Sequence, residues 1–171
     1  AAASDVYKRQ QMHWLWTEVP MHEDLKDWQK KLTHAEKDFL TKIFRFFTQG
    51  DIDVSGAYVT NYLPRFPPPE IRMMLSSFAA REAIHIAAYS HLIETLGMPD
   101  STYNEFLQYG EMAEKHEYFQ KQQEGSDIPA QIAAFSAFTE GMQLFSSFVM
   151  LLNFSRNGTV SYTHLTLPTK A

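Results

Sequence analysis

Glu82 and His85 stand three residues apart in the stretch FAAREAIHIAAYSHL (78–92), and Tyr89 follows four residues after the histidine. On a helix these three share one face of an otherwise apolar, alanine-rich segment. Arg81 falls off that face. A carboxylate buried without a partner is expensive, so Glu82 needs a cation or several donors beside it. A local Glu–His pair would serve, with Tyr89 an ordinary core aromatic whose hydroxyl finds a partner. So would a metal. A Glu-x-x-His pair on a bundle helix aims one carboxylate and one imidazole at a dinuclear centre, which takes a further carboxylate from each of two other helices.

The metal chemistry therefore requires acids that interrupt the apolar faces of two more segments. Asp51 does so in FRFFTQGDIDVSG, and Glu140 does so in AAFSAFTEGMQLFSSFVMLL, where no other charge occurs between Asp127 and Arg156. Asp53 competes with Asp51 for the first position. Asp51 and Glu82 are equidistant from the junction of Phe66 and Pro67, so two antiparallel helices mirrored about that turn bring them to the same depth. The chain has no cysteine. Any metal must be held by His, Asp and Glu, and disulfides, thiolate zinc sites and thiol catalysis are excluded.

The elements that would carry these residues are helices separated by Pro and Gly. Thr33 followed by Glu36 reads as a capping box that opens a helix to about residue 62. Phe39, Ile43, Phe46, Phe47 and Val54 recur on it at helical spacing. PRFPPP (64–69) breaks the chain, and its last prolines suit the first turn of a second helix. That helix runs to about 96 and stops at Gly97, with Pro99 beyond. Asp100 or Ser101 caps a third, more polar helix to about 123. EGSD makes the next turn, and a fourth helix spans about 128–157. Residues 12–28 form an aromatic lead-in with a short helix. Helices of about 28 residues, hence about 42 Å long, joined by short breaks make an all-α bundle.

The bulk numbers agree with a single domain. The chain has 171 residues, 44% of them hydrophobic and 20% charged, with a net charge of −5 that gives no reason to expect nucleic acid as a partner. No uninterrupted apolar run is long enough to span a bilayer, and no secretory pattern opens the chain. No membrane association is expected, and the cytoplasm is the default location. The two ends differ from the middle. Residues 1–10 (AAASDVYKRQ) have no amphipathic period, and residues 159–171 (TVSYTHLTLPTKA) turn abruptly Thr-rich. Both read as non-native tails of the kind that translated adapter sequence leaves. That makes 11–158 the natural, incomplete domain.

Four motifs occur in order: HWLWTEVPM (13–21), FFTQGDIDV (46–54), REAIHIAAYSHLI (81–93) and FTEGMQLFSSF (138–148). Together they resemble the small, radical-bearing subunit of class I ribonucleotide reductase, over nearly all of residues 12–158. The resemblance implies a ferritin-like helical bundle and a dinuclear iron centre, with Mn/Mn or Mn/Fe accepted by the same donors. It makes Asp51, Glu82, His85 and Glu140 metal ligands. Tyr89 matches the radical tyrosine, and Trp14 (with Trp16 as second choice) the tryptophan of the electron-transfer route. Phe148 and Leu144 would shield the radical. The implied partners are a large subunit, which binds and reduces the ribonucleotide, and a second copy of the chain in a homodimer.

One departure stands out. The family pattern has a second Glu-x-x-His on a further helix, and this sequence contains none; neither His91 nor His116 stands in such a pair. The expectation is therefore a bundle truncated before its last ligand-bearing helix, inactive by itself. The missing pair would lie near position 175, and the apolar face of the Glu140 helix would be left exposed. Two rival readings share parts of the pattern: another ferritin-like diiron oxidase, or a metal-free helical interaction domain.

Overall fold

The computed structural model describes residues 15–156. Trp14 and both tails read above as non-native lie outside the described residues. After a 3-10 turn at Trp16–Glu18, helix α1 covers His22–Lys30, α2 His34–Gly56, α3 Pro69–Thr95, α4 Ser101–Asn104, α5 Gly110–Glu124, α6 Ile128–Ala133 and α7 Leu144–Arg156. Two stretches are wound wider than an α-helix. Ala57–Tyr62 continues α2, and Ala134–Gln143 joins α6 to α7 without a break. No strand occurs among the described residues. The fold is an all-α bundle, as the sequence predicts.

The helix ends follow from local chemistry. Thr33 and Glu36 form the full capping box: the Thr33 N–H donates to Glu36 Oε2 at 2.8 Å, and the Glu36 N–H donates to Thr33 Oγ1 at 3.3 Å. Together they satisfy donors that the first turn leaves unpaired. Pro69 opens α3, where the missing N–H costs nothing. Gly97, at φ +68°, closes it. There the Met98 N–H donates to the Ile93 carbonyl and the Gly97 N–H to the Glu94 carbonyl, the two bonds of a Schellman stop.

Ring contacts fix how the helices run. Along α2 and its wide continuation, Phe47 stacks on Tyr89 with centroids 5.1 Å apart, and Tyr58 meets Phe78 at 5.7 Å. As one number rises the other falls, so α2 and α3 are antiparallel about the proline turn. The last helix is also antiparallel to α2, since Phe39 meets Phe154 at 6.1 Å, Phe47 meets Phe148 at 5.5 Å and Tyr58 meets Phe135 at 5.0 Å. Helix α5 runs in the same sense as α2, with His116 beside Asp53 and Gln123 beside Asn61. One core gathers Leu40, Phe44, Phe47, Tyr89 and Leu92, and a second gathers Val54, Tyr62, Phe119 and Phe135. Asp51 lies on α2 between the parts of that helix that serve each core.

Four sequence expectations need correction. The polar helix expected over 101–123 is split into α4, a 3-10 turn at Phe106–Gln108 and α5. Arg45 ties that break to α2, pairing with the Glu105 carboxylate and donating to the Tyr109 hydroxyl at 2.6 Å. Phe39 is 40% exposed and stacks on Phe154 at the rim of the core. Ala57–Tyr62 and Ala134–Gln143 are wound wider than the ordinary helix that the sequence predicts there. Finally, Ile128–Phe154 is long and apolar enough, by length and composition, to cross a membrane. Counting uninterrupted apolar residues missed this, because Glu140 and its polar neighbours break the run without lowering its average much. A carboxylate at mid-span is costly in lipid, and a bundle core helix meets the same compositional test. The outer face of this helix is open: Phe138, Met142, Phe145 and Val149 are each at least half exposed. That exposure matches the expectation from sequence.

Candidate metal centre

Asp51 comes from the last turns of α2, and Glu82 and His85 from the middle of α3. Both carboxylates are buried. The His85 Nδ1 lies 3.1 Å from Glu82 Oε2 and 3.8 Å from Asp51 Oδ2. One donor atom from each of the three lies within 4.8 Å of the other two. Ligands on opposite sides of one ion are roughly 4–5 Å apart, so the spacing suits a single cation shared by the trio. The aspartate that the mirror argument picks is the one the structure brings beside Glu82 and His85. Asp53, its competitor, points to α5, where its Oδ2 is 2.6 Å from His116 Nδ1 and its Oδ1 accepts from Gln49 at 3.0 Å.

Glu140 enters from the third side. It stands within the wide stretch Ala134–Gln143 and, with Asp51, lines a small cavity walled by Phe47, Val54 and Leu144. It is not part of the close trio, but its charge reaches that trio. Burial first, then the Glu82 carboxylate, push Glu140 up to about 7. Burial, Glu82 and Glu140 likewise hold Asp51 well above the usual carboxylate range. Three acids share this part of the core, and the charges of Glu82 and Glu140 weigh against ionisation of Asp51.

The fit of a cation rests on one atom. Asp51 Oδ2 is buried and has no hydrogen-bond partner. Buried polar atoms are nearly always satisfied, and one that is not, facing an imidazole and two more carboxylates, is the donor set of a hard divalent ion. His85 Nδ1, Glu82 Oε2 and Asp51 Oδ2 supply nitrogen and oxygen only, as metals bound by imidazole and carboxylate require. The residues present fit such a group.

Tyr89 lies one turn beyond His85, 6% exposed, with its ring stacked on Phe47. Phe148 also packs against Phe47, and Leu144 and Phe148 border the same core. Burial, then Asp51, Glu82 and Glu140, raise the Tyr89 phenol well above its ordinary value, so it keeps its proton. Trp16, the second-choice tryptophan, packs partly buried against this core. Sequence reasoning missed Tyr58, a second phenol held high by burial, Glu140 and Glu82. Its signal was available: it follows Asp51 by two helical turns and so shares that face.

Residues 2–164 match the family model described as "Ribonucleotide reductase, small chain". The chain is 53% identical over 167 residues to the "Probable ribonucleoside-diphosphate reductase small subunit 376L" of Invertebrate iridescent virus 6, covering 88% of this chain and 46% of that protein. It is 52% identical to the corresponding 048L protein of Invertebrate iridescent virus 3, covering 85% and 44%. The chain spans about half the length of the curated relatives it matches. Among solved structures, a dimanganese(II) NrdF of Streptococcus sanguinis superposes with a TM-score of 0.77 at 23% identity, covering 93% of this chain and 57% of that one. The ribonucleotide reductase R2 subunit of Clostridium botulinum gives 0.76 at 24% identity, covering 92% and 52%. These last two likenesses speak to the fold alone.

Proposed function

The chain belongs to the ribonucleotide reductase small-chain family, and from that premise we propose that its protein generates and stores a tyrosyl radical for a large subunit that reduces ribonucleotides. The observation that carries the reading is the convergence of Asp51, Glu82 and His85 around the unpartnered Asp51 Oδ2, with Glu140 facing the same cavity. Those four side chains would hold a dinuclear metal centre, which needs the family's second Glu-x-x-His to complete it. Iron is the first choice, and manganese or a mixed pair suits the same donors. When bound and oxidised by molecular oxygen, such a redox-active pair would supply the one-electron oxidant.

The chain's own residues set the rest. Tyr89 gives up one electron and its phenolic proton to become a neutral phenoxyl. Its burial keeps the phenol protonated until that moment, so electron and proton must leave together. The Asp51 carboxylate is the charge felt most strongly by the phenol and is the natural acceptor for the proton. Phe47 covers the ring and Phe148 backs Phe47, which excludes water and external reductants from the radical. Trp14, with Trp16 as the alternative, would begin the route by which the oxidising equivalent leaves for the large subunit. A homodimer is part of the same proposal.

The test combines two measurements on the complete protein after loading with Fe2+ and exposure to oxygen. Metal analysis should find two ions per chain, and electron paramagnetic resonance should find an organic radical that Tyr89→Phe removes. Bound metal with a radical that survives Tyr89→Phe would reassign the radical to another residue. No bound metal would defeat the reading altogether.

A further inference from the structure

Glu140 occupies a stretch whose N–H groups bond to the carbonyl five residues back, not four. Wide winding of this kind usually lasts a single turn, yet here it covers ten residues, Ala134–Gln143. The residue after Glu140 is tied to that geometry. A Cβ built on Gly141 would lie 2.9 Å from the carbonyl oxygen of Ser136, the residue five back. That oxygen belongs to the backbone and cannot swing aside, so the turn itself would have to move. At Gly50, Gly56 and Gly110 an added Cβ meets nothing within 4 Å beyond the adjacent turn of its own helix. A glycine inside a helix weakens it relative to alanine. At Gly141 the structure supplies a reason to keep one.

We propose that Gly141 is a positioning residue for Glu140: by lacking a Cβ it permits the five-residue register, and that register turns the Glu140 carboxylate into the cavity it shares with Asp51. A slip of one residue rotates a helix by about 100° about its axis, enough to carry a side chain off the core face. Glu140 shares its cavity with Asp51, Phe47, Val54 and Leu144, so the present register delivers it to the trio. The same register seats Phe148 against Phe47. Loss of stability alone would therefore not identify the role, and the test must read the ligand.

The inference rests on the metal reading above. The probe is Mn2+, titrated into the full chain, with Glu140→Ala, Gly141→Ala, the double variant and Gly56→Ala compared with the unsubstituted protein. Gly141→Ala should weaken Mn2+ binding by about 10- to 100-fold, the range typical of groups that orient a ligand. The double variant should bind no more weakly than Glu140→Ala alone, because a misplaced side chain that is already absent cannot be lost twice. Gly56→Ala should bind like the unsubstituted protein. Binding unchanged in Gly141→Ala, or a full additional loss in the double variant, overturns the inference while leaving the metal site standing. Binding unchanged in Glu140→Ala removes Glu140 from the ligand set, and the inference with it; no binding in the unsubstituted protein removes the metal reading itself. Should Gly141→Ala not fold, hydrogen exchange on the unsubstituted protein decides. Mn2+ should slow the amides of 134–143 more than those of 144–156, and equal protection overturns the coupling.

Discussion

Glu140→Gln should stabilise the metal-free protein at neutral pH while abolishing part of its metal binding. Burial and the Glu82 carboxylate raise Glu140 from its ordinary 4.5 to about 7. A carboxyl raised in the folded state binds more protons folded than unfolded between those two values. Its contribution to stability is thus lost as pH climbs through that window, and no further loss follows above it. At about 1.4 kcal/mol per unit, complete ionisation costs roughly 2–3 kcal/mol, allowing for partial solvent access. Glutamine keeps the shape and carries no charge. Asp51 also feels the Glu140 charge, so the variant relieves it too, with the same sign. In a chelator, urea or thermal unfolding followed by circular dichroism should find the two proteins alike near pH 5 and separated by about 2–3 kcal/mol near pH 8, the variant being the more stable. For a chain of this size that separation is roughly 5–10 °C in Tm. Mn2+ should reverse the order, because it stabilises only what it binds. Identical pH slopes in the two proteins, or a variant less stable near pH 8 in chelator, would refute the argument.

Other outcomes follow from the same structure. Tyr89→Phe in the complete protein should retain metal, by elemental analysis, and lose both the radical signal and ribonucleotide reduction. Phe47→Ala removes a ring that is 1% exposed and lies against Tyr89; it should cost about 3–5 kcal/mol in urea unfolding and shorten the lifetime of any Tyr89 radical. Thr33→Ala breaks the capping box and should cost about 1 kcal/mol by the same assay, with metal content unchanged. Phe145→Ser, on the open face at 63% exposure, should shift the stability of this chain by no more than about 0.5 kcal/mol.

What could be read from the sequence was whatever leaves a mark on residue type. Asp51, Glu82 and Glu140 are visible because each is a charge where the helical period demands an apolar residue. The choice of Asp51 over Asp53 needed only the proline turn and equal helix rise. Thr33, Pro69 and Gly97 are visible because capping, an unneeded N–H and a positive φ each favour a few side chains. What stayed hidden depends on partners distant in the chain. The break between α4 and α5 is held by Arg45, some sixty residues earlier, and no local signal announces it. The wide winding around Glu140 uses the same helix-forming residues as an ordinary helix, and only Gly141, against the Ser136 carbonyl, betrays it. Phe39 fits the apolar period but lies where the bundle runs out of neighbours.

The central claim is that Asp51, Glu82, His85 and Glu140 hold metal in the core of the bundle. Anomalous X-ray diffraction from crystals of the complete protein grown with Mn2+ tests it most directly. The account predicts anomalous density in the cavity between α2, α3 and the Glu140 stretch, within bonding distance of Asp51 Oδ2 and His85 Nδ1. Crystals that take up Mn2+ elsewhere, for instance at Asp53 and His116, and leave that cavity without anomalous density would contradict it.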